Sequence, residues 1–281
     1  MSATVIIPAH NESAVIGRNL SILLDGLPEY VAVIVVCNGC TDETATIAGS
    51  IDHRITVIEI AEASKTAALN VGDKHAAVGP RIYLDADVSL SGSDVAVLLS
   101  YLASDEVHAV EPHVAFDVEY SRYPVRAFYA VWLALHGSRP GDVGGGVMAL
   151  SARGRSRFGE FPDVVSDDGY VRAHFGDAEI ARADVTSHVT APRKLGDLIR
   201  IKARSRYGNR ELERRFPGLW AGKREGGESL GRKAASLPPQ VWPHVPVYVS
   251  IQVAARVLTV RMERSTTVVW ERDEGSRSTE F

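Results

Sequence analysis

Only two of the 281 residues are cysteine, too few for a disulfide framework. The sequence also shows no secretory signal, because Met1-Ser2-Ala3 runs directly into an apolar segment. Both absences predict a reducing, cytoplasmic location. Cys37 and Cys40 have the spacing of a zinc or redox pair, but zinc needs two further ligands, and there is no second cysteine pair or nearby histidine pair. Asn38 and Gly39 between them are typical of a turn.

The sequence also lacks the glycine-rich signatures of several common enzyme classes. No G-x-G-x-x-G follows the first apolar run, which argues against a dinucleotide-binding Rossmann domain. A nucleotidyltransferase would carry a glycine-rich loop with a basic residue at the same place, and that loop is absent. Neither a P-loop nor a nucleophile elbow at a strand-to-helix turn is present.

Charge is distributed unevenly along the chain. The net charge is −4, but residues 191–281 contain 18 of the 31 Lys and Arg and only 10 of the 35 Asp and Glu. This C-terminal part therefore carries a charge of +8, and the first 190 residues carry −12. A basic C-terminal part suggests contact with an anionic group, such as a phosphate or a lipid surface. A solvated basic helix face explains the same charge equally well.

Apolar runs alternate with helix-like stretches in the first part of the chain. Mostly apolar runs predict strands at 4–7, 31–36, 55–60 and 81–84, each followed by a helical pattern. This alternation is typical of βαβ units and predicts an α/β fold, a Rossmann-like, mainly parallel sheet flanked by helices. Pro8 is expected to end the first strand, because proline cannot donate to a central ladder.

The rest of the chain carries weaker patterns. Further strands are predicted at 107–110 and 114–118 (as a pair), 147–150 and 180–189, and helices at 121–136 and 195–207. The helix at 121–136 has an aromatic stripe that is typical of a protein core: Tyr123, Phe128, Tyr129 and Trp132. Val247–Met262 has one apolar helical face and is expected to be too short and too polar to span a bilayer. It would pack on the body or, as the second choice, lie on a membrane surface.

Two carboxylates, Asp85 and Asp87, stand where the fourth predicted strand ends. Ligands of open α/β sheets bind at the carboxyl ends of strands, which is where these side chains are expected. Neighbouring carboxylates repel each other unless a positive group joins them, and a divalent ion carrying a diphosphate is the usual partner. The D-x-D pattern alone also fits a solvated turn. Polar clusters at 8–12 and 37–42 would lie beside it, which strengthens the prediction of a binding site.

Together these motifs resemble those of family 2 glycosyltransferases, which have the GT-A nucleotide-sugar-binding fold. The matching stretches occur in family order and with family spacing across residues 4–175: Pro8-Ala9-His10-Asn11-Glu12, Cys37-Asn38-Gly39-Cys40-Thr41-Asp42, Lys65 to Asn70, Asp85-Ala86-Asp87 and Asp167-Asp168. The resemblance implies a GT-A catalytic domain at 1–190. A basic helical extension with a disordered tail would follow at 191–281.

The resemblance implies which residues bind the nucleotide. They follow the predicted strands or open the next helix: Pro8, Ala9, His10, Glu12, Asn38, Lys65, Asp85 and Ala86. Asn38 and Cys37 stand where relatives commonly carry acids, so the identity of the base stays open. The Asn38 amide can both donate and accept a hydrogen bond, and it could still pair with a uracil edge.

The resemblance also implies a metal site and a general base. Asp87 and Asp85 would bind Mg²⁺ or Mn²⁺, with His188 as a third ligand; a structural role for this histidine is the alternative. Asp168 would accept the proton of the acceptor hydroxyl. Asp167 would stand beside it, in place of the glutamate that is usual in the family.

These implications describe a metal-dependent inverting glycosyltransferase. It would move a sugar from a nucleoside-diphosphate sugar, a UDP-sugar as first choice, to an acceptor hydroxyl in glycan, glycolipid or secondary-metabolite synthesis. No nucleic-acid partner is expected. A sugar nucleotidyltransferase and a non-catalytic nucleotide-sugar-binding protein stay open as alternatives.

Arg206-Tyr207 resembles an Arg–aromatic pair of processive relatives, but Ala203 replaces their glutamine, so processivity is not supported. The expected location is the cytoplasm, at the inner face of the membrane if the extension binds lipid.

Overall fold

The computed structural model describes residues 2–136, 145–220 and 237–264. The strands of these ranges are β1 (Ala3–Ala9), β2 (Val31–Asn38), β3 (Ile55–Ile60), β4 (Arg81–Leu84), β5 (Val88–Ser89), β6 (Ala109–Asp117), β7 (Val147–Leu150) and β8 (Ile180–Thr190). The helices are α1 (Ile16–Leu24), α2 (Thr44–Ile51), α3 (Lys65–His75), α4 (Gly92–Tyr101), α5 (Tyr123–His136), α6 (Ala152–Arg155), α7 (Asp167–Arg172), α8 (Leu195–Arg215), α9 (Pro217–Trp220) and α10 (Val245–Arg264). Short 3₁₀ turns at Asp177–Glu179 and Pro239–His244 precede β8 and α10.

All these strands belong to one sheet, in the order β3-β2-β1-β4-β7-β6-β8-β5. The first four strands of this order are parallel neighbours. Beyond β4 the sheet is mixed, because β7 runs antiparallel to β4 and β6, β6 is parallel to β8, and β5 is antiparallel to β8. The predicted parallel sheet is therefore confirmed for β1 to β4. Their carboxyl ends lie at one edge, where the polar clusters meet.

Strands β1 and β2 are buried on both faces of the sheet. Val33 and Ile6 are fully buried, and Leu20 of α1 packs into the core on one face of the sheet. On the other face α3 approaches β1 very closely: a Cβ atom at Gly72 would lie 2.4 Å from Ile6 Cγ2. Gly72 therefore sets how closely α3 packs, and with it the position of the first residues of α3.

The boundary of β1 differs from the prediction. The strand continues through Pro8 to Ala9, paired with β2. Its pairing with β4 ends at Ile6. Proline is tolerated here because β1 no longer pairs with β4 at Pro8, so the missing amide proton is not needed on that side.

The predicted pair of strands at 107–110 and 114–118 is wrong. Residues 109–117 form the single strand β6, which pairs with β8 on both sides of Pro112. The register shifts between Glu111 and His113, around Pro112. A proline cannot donate to the ladder, and a local bulge accommodates it without ending the strand.

The aromatic stripe of α5 lies in a second core formed with α8 and α10. Phe128 is fully buried, Tyr129 is 4% exposed, and Trp132 is partly buried in the same cluster. The core prediction is confirmed for these three residues. Tyr123 differs: it is 52% exposed, and its hydroxyl lies 3.3 Å from His244 Nδ1.

Helix α10 packs on the body, as the first choice from sequence had it, with Tyr248, Ile251, Ala255 and Thr259 buried. The expectation that the segment is too short and too polar to span a bilayer is wrong. With the preceding 3₁₀ turn it extends over 26 residues, and its most apolar stretch of 18 residues has a mean hydropathy of 1.2, so by length and composition alone it is enough to cross a membrane. The predicted disorder at 272–281 lies outside the described residues.

Candidate active site

The loops that follow β1 and β2 are tied together through Asn38. Its side chain is 3% exposed and donates from Nδ2 to the Ala9 carbonyl at 2.9 Å. The Asn38 carbonyl lies 2.5 Å from Nδ1 of His10. Asn38, predicted to face the base, thus also fixes the distance between the two loops.

A second set of hydrogen bonds shapes the loop after β1. Asn11 has a φ of 53°, a left-handed conformation that asparagine tolerates better than most residues. Its Oδ1 accepts from the Thr41 amide at 2.7 Å. The amide of Glu12 donates to Thr44 Oγ1 at 2.7 Å, and that of Ser13 donates to Asp42 Oδ2 at 3.2 Å. The two loops therefore form one hydrogen-bonded unit.

Cys37 and Cys40 are both free thiols. Burial raises the pKa of Cys37 to about 12, and the neighbouring Cys40 adds to the rise. Cys40 Sγ lies 3.3 Å from the Asn11 amide and 3.4 Å from the Ala9 carbonyl. Since the thiolate is the reactive form, the Cys37 thiol acts here as a packing group. Cys40 serves as a hydrogen-bonding group.

The Asp85-Ala86-Asp87 turn is held from two sides. β4 ends at Leu84, and the chain turns into β5, which pairs with β8. The Asp85 amide donates to the Gly146 carbonyl at 2.8 Å. Asn19 of α1, which is 5% exposed, donates from Nδ2 to the Ala86 carbonyl at 2.8 Å. These bonds fix the backbone that carries both carboxylates.

Gly146 also makes room for the Asp85 side chain. Its φ is 65°, and a Cβ atom would lie 2.9 Å from Asp85 Oδ2 and 2.8 Å from Val88 Cγ2. A side chain at this position would be strained by its backbone conformation and would displace the carboxylate.

Lys65 joins this turn to a distant part of the chain. It is the first residue of α3, which the side chain of Ser64 caps by accepting from the Ala67 amide at 3.2 Å. Its Nζ lies 2.7 Å from Asp85 Oδ1 and 3.0 Å from Asp167 Oδ2. The side chains of Lys65 and Asp167 are only 20% and 15% exposed. One ammonium group thus connects the end of β4 to the start of α7.

The charges in this cluster shift one another's pKa. Burial raises the pKa of Asp85 to about 6; Lys65 opposes the rise, and Asp167 and Asp87 add to it. Burial also raises the pKa of Asp167. For Lys65, burial favours the neutral amine, but Asp167 and Asp85 outweigh it and raise its pKa. Lys65 is therefore charged at neutral pH, and it does not fully offset the cost of the buried carboxylates.

Asp168 has a different environment from Asp167. It is exposed, and its Oδ1 accepts from Ser166 Oγ at 2.9 Å and from the Gly169 amide at 2.7 Å. Its Oδ2 has no hydrogen bond within the described ranges. One oxygen is therefore fixed, and the other is available to a ligand.

Helices α3 and α8 position the segment that carries both acids. Asn70 of α3 donates to the Phe161 carbonyl at 2.9 Å and accepts from the Phe161 amide at 2.7 Å. On the other side Gly208 of α8 packs so closely that a Cβ atom would lie 2.9 Å from Ser166 Cβ. The chain before α7 is thus clamped between two helices.

The carboxylate oxygens at the turn are of the kind that would hold a divalent ion. Asp85 and Asp87 supply hard carboxylate oxygens, which Mg²⁺ and Mn²⁺ prefer. No grouping of three or more His, Cys, Asp and Glu side chains suited to a metal occurs among the residues described. His188 is exposed on β8, opposite Ser89 of β5. Asp85 and Asp87 would hold such an ion only together with further ligands, and His188 as a third ligand stays a prediction.

The structure brings Lys65, Asp85 and Asp167 into direct contact, with Asp168 adjacent. Pro8 and Ala9 are instead buried within β1 and can shape the site through the backbone alone. Sequence reasoning missed Asn19 and Gly146, which support the Asp85 turn. A polar residue within the apolar stripe of α1 was a signal for Asn19.

The family model described as Glycosyl transferase family 2 matches residues 4–149. A search of curated proteins gave no match. Among solved structures, the mannosyltransferase PcManGT from Pyrobaculum calidifontis, in complex with GDP-Man and Mn²⁺, is 21% identical. The match covers 95% of this chain and 76% of that one, with a TM-score of 0.59.

A second similar structure is glucosyl-3-phosphoglycerate synthase from Mycobacterium tuberculosis. Its complex with Mn²⁺, UDP and glucosyl-3-phosphoglycerate is 20% identical over 76% of this chain and 79% of that one, with a TM-score of 0.54. Its complex with Mn²⁺ and UDP-glucose is 19% identical over 76% and 78%, with a TM-score of 0.53. These similarities confirm the predicted GT-A fold.

Proposed function

Because this chain belongs to glycosyltransferase family 2, we propose that it is a metal-dependent inverting enzyme. It transfers a sugar from a nucleoside-diphosphate sugar, with a UDP-sugar as first choice, to an acceptor hydroxyl. The cofactor is Mg²⁺ or Mn²⁺. The similar structures contain GDP-Man or UDP-glucose together with Mn²⁺, which supports this class of donor and ion and makes GDP-sugars the second choice.

The observation that carries the proposal is the contact of Lys65 with both Asp85 and Asp167. Asp85 belongs to the edge where the loops after β1 and β2 meet the end of β4. Asp167 is the neighbour of Asp168. Residues implied in donor binding and in proton transfer, far apart in sequence, thus meet in one cluster.

In this proposal Asp168 is the general base. The acceptor oxygen forms a bond to the anomeric carbon, and the bond from that carbon to the diphosphate oxygen breaks with its electron pair. The proton of the hydroxyl passes to Asp168, whose Oδ2 is available while its Oδ1 is fixed by Ser166. Asp167 is held by Lys65 and acts as a positioning residue.

The donor is bound at the edge formed by β1, β2 and β4. Its nucleoside contacts His10, Glu12 and Asn38, with Pro8 and Ala9 shaping the loop, and its ribose and diphosphate lie near Lys65, Asp85 and Ala86. Asp87 and Asp85 would bind the divalent ion, with His188 as the further ligand. When bound, such an ion stabilises negative charge on the departing diphosphate.

A donor panel tests this function. UDP- and GDP-sugars are screened with Mn²⁺ for a rise in the unfolding midpoint, because a ligand of the folded state stabilises it. Release of UDP or GDP is then measured with hydroxyl-bearing acceptors. We expect metal-dependent binding of one nucleotide and its release from the matching sugar donor. Binding without release across the panel would favour the non-catalytic alternative.

The proposal places the enzyme in the cytoplasm, with peripheral contact between α10 and a membrane surface. Val249, Val253 and Val257 form an apolar stripe on α10, each at least 50% exposed. Exposed apolar residues beside a basic segment are typical of helices that lie in a lipid interface. Vesicle binding of Val253→Asp, compared with the parent protein, measures this contact.

A further inference from the structure

Two basic residues on α8 have no carboxylate partner among the residues that the structure describes. Lys202 Nζ lies over three aromatic rings, 4.1 Å from the centroid of Trp132, 5.3 Å from that of Phe128 and 5.5 Å from that of Tyr129. Arg206 donates one hydrogen bond, from Nη2 to the neutral Gln252 Oε1 at 3.0 Å. Its Nε is buried and has no hydrogen-bond partner in the described structure.

Other basic residues of the same helix are paired with acids. Arg200 contacts Asp197, and Arg210 lies 3.1 Å from Glu263. Lys202 and Arg206 have no such acidic partner among the described residues, although both side chains are partly buried. A charge removed from water without an opposite charge lowers the stability of the fold.

The pKa values reflect this cost. Burial lowers the pKa of Lys202 to about 8. Burial also lowers the pKa of Arg206, and the nearby cations Arg256 and Arg210 lower it further. Perturbed pKa values of this kind are typical of functional sites, and an anion bound beside the two residues would supply the missing opposite charge.

The face of α8 that carries Lys202 and Arg206 also carries Asn209, which lies near Asp168, the proposed general base. Lys202, Arg206 and Asn209 are spaced i, i+4 and i+7, so they lie along one face of the helix. Asn209 Oδ1 lies 3.3 Å from Ser166 Oγ, which in turn donates to Asp168 at 2.9 Å. At a rise of about 1.5 Å per residue, Lys202 lies roughly 10 Å along the axis from Asn209.

We propose that Lys202 and Arg206 form a subsite for a phosphate or phosphate ester group carried by the acceptor. The arginine supplies donors in a planar fork and the lysine a point charge, a combination suited to phosphate oxygens. The inference rests on the proposed function in one respect, the assignment of the anion to the acceptor. The anion-binding property itself stands without it.

The test measures anion binding at constant ionic strength. Inorganic phosphate and methyl phosphate are titrated into the parent protein and into Lys202→Met, Arg206→Met and Arg200→Met. Arg200→Met is the matched control, because it removes one positive charge from the same helix at a residue already paired with Asp197. We expect at least tenfold weaker phosphate binding in Lys202→Met and Arg206→Met and no change in Arg200→Met.

Thermal unfolding without phosphate measures how far the partly buried charge of Lys202 lowers the stability of the fold. Lys202→Met is expected to unfold at the same or a higher temperature than the parent, because a buried charge is replaced by an apolar side chain of similar length. Phosphate should then raise the midpoint of the parent more than that of the variant. A lower midpoint of Lys202→Met without phosphate, together with unchanged phosphate binding, would show a structural role and overturn the proposal.

Two further experiments determine which molecule carries the phosphate group that binds at Lys202 and Arg206. Phosphate binding is repeated with saturating UDP and Mn²⁺; if UDP displaces phosphate, the subsite serves the donor diphosphate and the acceptor assignment fails. Vesicles of phosphatidylcholine with or without phosphatidic acid separate a lipid phosphate from a soluble one. Lys202-dependent binding to either form supports the subsite. If no nucleotide binds but phosphate still depends on Lys202, the proposed function fails and the anion site stands.

Discussion

Replacing Lys65 by methionine removes one charge from the candidate active site and keeps the length of the side chain. Lys65 Nζ contacts Asp85 at 2.7 Å and Asp167 at 3.0 Å. Without it, the two carboxylates stay within about 6 Å of each other, where like charges still repel appreciably. We therefore expect the variant to lose stability at neutral pH.

The magnitude follows from the burial of the partners. Removing one member of a buried ion pair costs about 3–5 kcal/mol, because the remaining charge is left unpaired. The Asp85 side chain is 34% exposed, so water screens part of its charge, while Asp167 is only 15% exposed. We expect the lower end of the range, a loss of about 3 kcal/mol in the free energy of unfolding near pH 7.5.

The loss should depend on pH. Burial raises the pKa of Asp85 to about 6 and that of Asp167 in the same direction even with Lys65 present, and both values should rise further without it. A carboxyl group with a raised folded-state pKa contributes stability that is present below its unfolded pKa and is lost as the pH rises through the folded value. The deficit of Lys65→Met should thus grow from about pH 5 to above pH 7.

Urea unfolding of the parent and the variant between about pH 5 and 8 measures this deficit. The matched control is Lys74→Met on the same helix. Lys74 lies 2.8 Å from Glu160, but the side chains of this pair are 63% and 67% exposed. Its removal should change the free energy of unfolding far less than that of Lys65 at any of these pH values, because water screens an exposed pair. Equal effects of the two substitutions near pH 7.5, or a deficit of Lys65→Met that does not change with pH, would refute the reasoning.

Two further predictions concern metal binding and proton transfer. Asp87→Ala should abolish the Mn²⁺-dependent part of UDP or GDP affinity in calorimetry, whereas Asp105→Ala, at an exposed position, should leave it intact; equal affinity of the parent with and without Mn²⁺ would contradict this. Asp168→Asn should slow transfer at least about 100-fold with donor affinity nearly unchanged, because a general base acts in the transition state. Asp167→Asn should slow transfer less; the reverse order would move the base by one residue, and normal turnover of both would reject it.

The strands of the first half could be predicted because their patterns are local. β3 has the predicted bounds, and β2 extends only two residues beyond its prediction, to Asn38. The apolar runs are long enough, and their flanking turns clear enough, to define a buried parallel strand. The prediction of two strands in place of β6 was wrong for a local reason too. Pro112 interrupts the apolar pattern of the sequence, but in the structure it only shifts the register between β6 and β8.

The contacts of the site could not be predicted from the same patterns. Lys65 could be placed at the start of a helix, but its contact with Asp167 depends on how α3 and α7 are packed against the sheet. That arrangement is fixed by Gly72 against Ile6 and by Asn70 against Phe161, pairs far apart in sequence. Family resemblance identified the acids, and only the three-dimensional structure shows that Lys65 joins them.

The charge balance of this cluster argues for metal dependence. The pKa of Asp85 is raised to about 6 although a lysine lies 2.7 Å away, with Asp167 and Asp87 contributing to the rise. Lys65 therefore does not neutralise the carboxylates already present. A nucleoside diphosphate adds further negative charge at the same edge of the sheet, and binding it there without another cation would add repulsion to a site that is already short of positive charge. A divalent ion held by Asp87 and Asp85 would supply that charge, which is why we expect nucleotide affinity to depend on metal in this protein.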